Sequence, residues 1–152
     1  MTAPTRNDGP GLSRRDELNV SGATMSYAPW RAAGATGAVV TGADLVLHLL
    51  SGHLAVSSSL SAGVVALFAV AGAGALWRAR SSRVAGWALR NPWRFALLPG
   101  VAAAVVVFVL SVMIGSSGVF GGTFTAVWHG AIAYGVTGAT GAVAGGRRQR
   151  RG

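Results

Sequence analysis

Two long stretches almost free of charge constrain this chain more than any other feature. Ala32 to Trp77 is 46 residues with one charge, Asp44, and Phe95 to Gly146 is 52 residues with none. A helical bilayer span takes roughly 20 apolar residues at about 1.5 Å rise each. Each block is too long for one span and long enough for two with a short turn. A soluble helix of such length carries a polar face, and none exists here. Membrane β-strands would alternate over about ten residues, and the run Val101-Ala102-Ala103-Ala104-Val105-Val106-Val107 does not. Composition agrees: 11% of residues are charged, against about 25% in a typical soluble domain.

Each block has one place to fold back. In the first it is Ser57-Ser58-Ser59, or more broadly Ser51 to Ser59; in the second it is Gly115-Ser116-Ser117-Gly118 with Gly121-Gly122. Such Ser/Gly runs are turn signals. They predict an all-α integral membrane four-helix bundle, with helices at about 32–55, 60–79, 95–114 and 122–145. A first helix that stops at Leu50 would place His53 in the outer turn. The organisation expected is a flexible tail over 1–29, a transmembrane domain over 30–146 and a basic tail over 147–152. The tail is rich in Pro, Gly and mixed charge and has no early apolar run, so no cleavable signal is expected. Ser13 with Asp16-Glu17 is a weak helix-start signal within it.

Arginine sets the expected orientation. Arg78, Arg80, Arg83, Arg90 and Arg94 fall between helices 2 and 3, and Arg147, Arg148, Arg150 and Arg151 follow helix 4. The two Ser/Gly turns carry no charge. Short Arg-rich loops stay cytoplasmic, so both termini are expected inside, as Arg31 at the start of helix 1 agrees. Trp30, Trp77, Trp87 and Trp93 sit at the same ends, at the headgroup depth Trp prefers. The segment 83–94 mixes Trp and Arg and is expected on the membrane surface as a short helix.

The net charge of +9 would suggest nucleic acid in a soluble protein. Here the cations flank spans, where they orient the chain and meet anionic lipid headgroups. The arginines between helices 2 and 3 are the expected headgroup contacts, and no nucleic-acid partner is expected. The chain has no Cys and no Lys but abundant Ala, Gly, Val and Arg, the composition of a GC-rich bacterium. A bacterial plasma membrane is the expected location.

Asp44 is the most informative single residue. A carboxylate at mid-helix costs roughly 2.5–3.5 kcal/mol to insert, and such groups face a bundle interior. Thr41, Asp44, His48 and Ser51 recur at spacings of 3, 4 and 3, on one helix face. His129 on helix 4, with Thr125 and Tyr134 nearby in sequence, lies at a similar depth, ~10 Å from the outer surface. If helices 1 and 4 are neighbours, Asp44, His48 and His129 meet. Three roles fit such a cluster: a polar lock between helices, a proton or ion path, and a metal or haem site using both histidines. No paired-ligand motif supports the last, so no metal or cofactor is expected.

Small residues repeat every fourth position. Helix 4 has Ala133, Thr137, Gly141 and Gly145, and also Ala126, Gly130, Gly138 and Ala142; helix 1 has Gly34, Ala38 and Gly42. Such ladders let helices approach closely. They predict tight packing of helices 1 and 4, with each other or with a second copy. No phosphate loop, zinc-protease motif or nucleophile elbow is present. The expectation is a non-enzymatic accessory or interaction subunit with a homo-oligomeric or membrane-protein partner, and the alternative is a transporter or channel subunit using the Asp/His cluster.

Overall fold

The computed structural model describes residues 14–52, 54–78, 83–115 and 118–149. Six helices follow one another and no strand occurs among the described residues: α1 (Arg14–Met25), α2 (Trp30–Leu50), α3 (Val56–Arg78), α4 (Arg83–Arg90), α5 (Pro92–Met113) and α6 (Gly118–Gln149). Of these, α2, α3 and α5 are long and apolar enough to cross a membrane. α6 is 32 residues long. Taken whole it is less apolar than those three, because it runs on into Arg147, Arg148 and Gln149.

The first turn falls earlier than the Ser57–Ser59 run. α2 stops at Leu50, and Gly52 adopts a left-handed φ of 78°. A residue with a side chain is strained there, so Gly is the natural terminator. Ser57, Ser58 and Ser59 belong to the first turn of α3. His53, Ser116 and Ser117 lie outside the described residues.

Residues 14–25, expected as part of a flexible tail, form α1. Asp16 and Glu17 occupy its first turn, where they complement the helix dipole. The Glu17 carboxylate accepts from the Arg94 guanidinium. Met25 at its far end and Ala28 just beyond it are buried in one cluster with Ala75 and Leu76 of α3 and Phe95 of α5. Apolar burial, absent from the composition of the tail as a whole, is what orders this segment.

The helices pack as two antiparallel hairpins, α2–α3 and α5–α6, joined through α3. Glycine sets the spacing in both. A Cβ on Gly37 would lie 2.8 Å from the Gly63 carbonyl oxygen, and one on Gly130 would lie 2.9 Å from that of Gly100. Both are closer than side chains tolerate, so each seam depends on a bare backbone. α4 sits beneath the second hairpin, with the Leu89 carbonyl oxygen 2.9 Å from where a Gly145 Cβ would be.

α2 and α6 are not neighbours. α2 makes its substantial contacts with α3 alone, while α6 packs on α5 and α3. Only 11% of the apolar stretch of α2 is buried, against 44% for α3 and 39% for α5. The chain therefore does not close into the bundle in which helices 1 and 4 touch; α2 is attached along one side.

Candidate functional site

The buried side of α2 is written in its small and polar residues. Ala33 and Gly37 are its buried positions. Thr41 follows one turn on, its Oγ1 against the face of Gly63. Asp44 comes next, and its Oδ2 accepts a 2.8 Å hydrogen bond from Ser59 Oγ of α3. Ser59 is buried. This hydrogen bond ties α2 to α3 near the turn that joins them.

His48, one turn beyond, brings Nδ1 to 2.9 Å from the Asp44 carbonyl oxygen and 3.2 Å from Asp44 Oδ2. A carbonyl oxygen only accepts, so Nδ1 carries a proton. The result is a short chain, Ser59 to Asp44 to His48, that ends on an open imidazole nitrogen. It is not sealed from its surroundings: the side chains of His48 and Asp44 are 34% and 30% exposed.

His129 does not join it. The histidine sits on α6, which has no substantial contact with α2, and its Nδ1 lies 2.7 Å from the Thr125 carbonyl oxygen of its own helix. It therefore has the same proton placement as His48 but stands alone. The expected meeting of Asp44, His48 and His129 fails because α3 lies between the two helices. Among the described residues no three His, Asp or Glu side chains gather closely enough to hold a metal ion.

The ladders divide. Gly130, Gly141 and Gly145 are packing positions, against Gly100 and Ala104, Pro92 and Leu76, and Leu89 respectively. Gly34 and Gly42 are not: a Cβ on either would meet nothing within 4 Å. The glycine of α2 that meets a neighbour is Gly37, one position off the ladder expected for packing. Gly34, Ala38 and Gly42 thus form a stripe turned away from the α3 contact that holds Asp44.

No protein-family model matches this chain, and no curated protein or solved structure is significantly similar to it. What the site can do rests on its own chemistry.

The arginines expected at headgroups also divide. Arg78 is exposed at the end of α3, and Arg90 is exposed at the end of α4. Arg90 Nε donates to the Gly86 carbonyl oxygen at 3.1 Å. Arg83 opens α4, and Arg80 lies outside the described residues. Arg94 is engaged by Glu17 of α1 instead of being left wholly for lipid.

Ser59 is the residue that the sequence reading missed. It was grouped with the turn, yet Asp44 and Ser59 lie equally far on either side of the Ser51–Gly52 break. Once the hairpin turns at Gly52, that symmetry alone pairs them.

Proposed function

We propose that the chain is a four-span plasma-membrane protein of bacterial type, with both ends cytoplasmic, acting as a non-enzymatic interaction subunit. α6 is the fourth span in this reading. Between Gly118 and Gly146 it carries no charge, and at about 1.5 Å per residue its 32 residues exceed the ~30 Å hydrocarbon thickness. The Arg-rich segments at the ends of α3, α4 and α6 support the orientation.

One observation carries the function: α2 is held by α3 on one side only, its other faces leave Gly34 and Gly42 open, and Asp44 and His48 at the edge of the α3 contact stay about a third exposed. Lipid-facing carboxylates are costly, and small residues let a second helix come close. A further transmembrane helix, from a second copy or a partner protein, covers both. The test is a photo-crosslinking amino acid at Ala38, with Val105 on the exposed side of α5 as control. Discrete protein adducts at Ala38 and not at Val105 support the reading, and adducts at twice the 15.3 kDa chain mass identify a homo-oligomer. Lipid adducts alone at both positions refute it.

The alternative, a transporter or channel subunit, draws on the Ser59–Asp44–His48 chain. It requires Asp44→Asn to abolish a proton or ion flux in reconstituted vesicles. A polar lock requires no such loss.

A further inference from the structure

The geometry points to a binding track for one anionic glycerophospholipid along the α5–α6 seam, with its headgroup at Arg90 and an acyl chain in the crevice at Gly100. It rests on the reading that both helices span the bilayer with α4 at the inner headgroup level. Two separate cavities carry it. The first is a groove of about 690 Å³ at the Arg-rich end, lined by Gly86, Arg90, Pro92, Ala142, Gly145 and Gly146. The second is a shallow crevice of about 220 Å³ further along the same seam, lined by Gly100, Val101 and Ala104 of α5 and Val127, Ala131 and Tyr134 of α6.

Their chemistry differs as the two ends of a lipid differ. The groove is open and holds a guanidinium. Arg90 uses Nε within its own helix, and its Nη groups have no partner among the described residues. Gly86 and Gly146 leave the walls bare, since a Cβ on either would meet nothing within 4 Å. Bare backbone and a planar cation suit a phosphate group. Arg147 and Arg148 follow in sequence and add to the positive field. The crevice is lined by apolar and glycine positions apart from Tyr134.

Their placement fits one molecule. Val127, Ala131, Tyr134, Gly138, Ala142 and Gly145 fall on one stripe of α6 at helical spacing. From Val127 to Ala142 is 15 residues, or ~22 Å along the axis. One bilayer leaflet, headgroup included, is about 20–22 Å thick. Between the two cavities Trp93 lies across Gly138 and packs at a 44° tilt against Tyr134, ring centroids 5.5 Å apart. Trp at that depth marks the boundary between headgroup and chain.

The test uses the full chain in nanodiscs or micelles, with native mass spectrometry of retained phosphatidylglycerol and phosphatidylcholine. Phosphatidylglycerol should be retained about tenfold over phosphatidylcholine, the size of one charge-assisted contact. Arg90→Gln should bring that ratio near one. Gly86→Leu, which fills the groove and favours helix, should do the same. Ala131→Phe, which fills the crevice, should lower retention of both lipids alike. Equal retention of the two lipids by the native chain overturns the proposal, as does a ratio unmoved by Arg90→Gln. Displacement of bound lipid by inorganic phosphate assigns the groove to free phosphate and overturns it too. Resistance to alkaline extraction from membranes is measured alongside: its loss in the native chain defeats the spanning reading itself, whereas its retention with equal lipid binding defeats only the track.

Discussion

Adding one methyl group at Gly63 should partly detach α2. A Cβ there would strike Thr41 Oγ1 and lie 2.7 Å from the Gly37 carbonyl oxygen. Ordinary contact begins near 3.4 Å, so the helices must part by about 0.7 Å at the crossing. A gap of that size forfeits roughly a quarter to a half of each dispersion contact across it. The 2.8 Å bond from Ser59 to Asp44 stretches with it, losing about 0.6 kcal/mol. Overpacking of this kind costs about 1–3 kcal/mol in total, while replacing Gly by Ala inside a helix returns about 0.5–1 kcal/mol. The expected net loss is about 1–2 kcal/mol. Gly135→Ala is the control, because a Cβ on Gly135 would meet nothing within 4 Å; it should gain about 0.5–1 kcal/mol. Two chemically identical changes should therefore differ by about 1.5–3 kcal/mol. Unfolding of the full chain by sodium dodecyl sulfate in mixed micelles, followed by far-ultraviolet circular dichroism, measures the difference. Equal midpoints for the two variants would refute the argument that α2 is held by a bare-backbone crossing.

Other substitutions read different parts of the fold. Ser59→Ala should cost about 0.5–1 kcal/mol in the same titration, and Asp44→Asn, whose amide oxygen still accepts from Ser59, should cost less. Thr137 is fully buried and its Oγ1 has no hydrogen-bond partner among the described residues. Thr137→Val, nearly identical in shape, should be neutral or stabilising by up to about 1 kcal/mol; a clear loss would show that the hydroxyl is in fact bonded. Glu17→Gln breaks a pair whose arginine is 64% exposed, so global stability should change by less than about 1 kcal/mol, while proteolysis near residue 14 should quicken. Because the chain has no native Cys, orientation can be read from single-Cys variants: an impermeant maleimide should label Ser51→Cys in whole cells and Gly146→Cys only after lysis, and the reverse pattern would invert the topology.

Charge spacing made the helices legible, because a bilayer-length apolar run leaves the backbone few alternatives. The ends were less so. Gly52 terminates α2 through its φ, a property that a search for Ser clusters overlooks. α1 was missed because its order comes from tertiary contacts: Glu17 finds Arg94, 77 residues away, and Met25 joins a buried cluster drawn from the other helices. The local pair Asp44–His48 was readable because i, i+4 spacing fixes neighbours on a helix. The placement of His129 was not, since depth along an axis says nothing about which helices are adjacent. The same gap explains the ladders. Gly34 and Gly130 look alike in sequence, yet one faces open space and the other a carbonyl oxygen.

That division has a consequence for the molecule as a whole. The unpaired face belongs to α2, which touches α3, whereas the lipid track is lined at its apolar end by α5 and α6 alone. α3 packs against both, and α2 makes no substantial contact with α5 or α6. Sites that share no partner and lie far apart act additively. Gly42→Trp, which obstructs the α2 face one turn from a crosslinker at Ala38, should therefore abolish protein adducts while leaving the phosphatidylglycerol preference intact, and Arg90→Gln should do the reverse. The double variant should show both losses at their single-variant size. Coupling between them, seen as lipid preference that changes when the α2 face is blocked, would mean that α3 transmits a shift between the hairpins. The two surfaces would then be parts of one site and not neighbours on one scaffold.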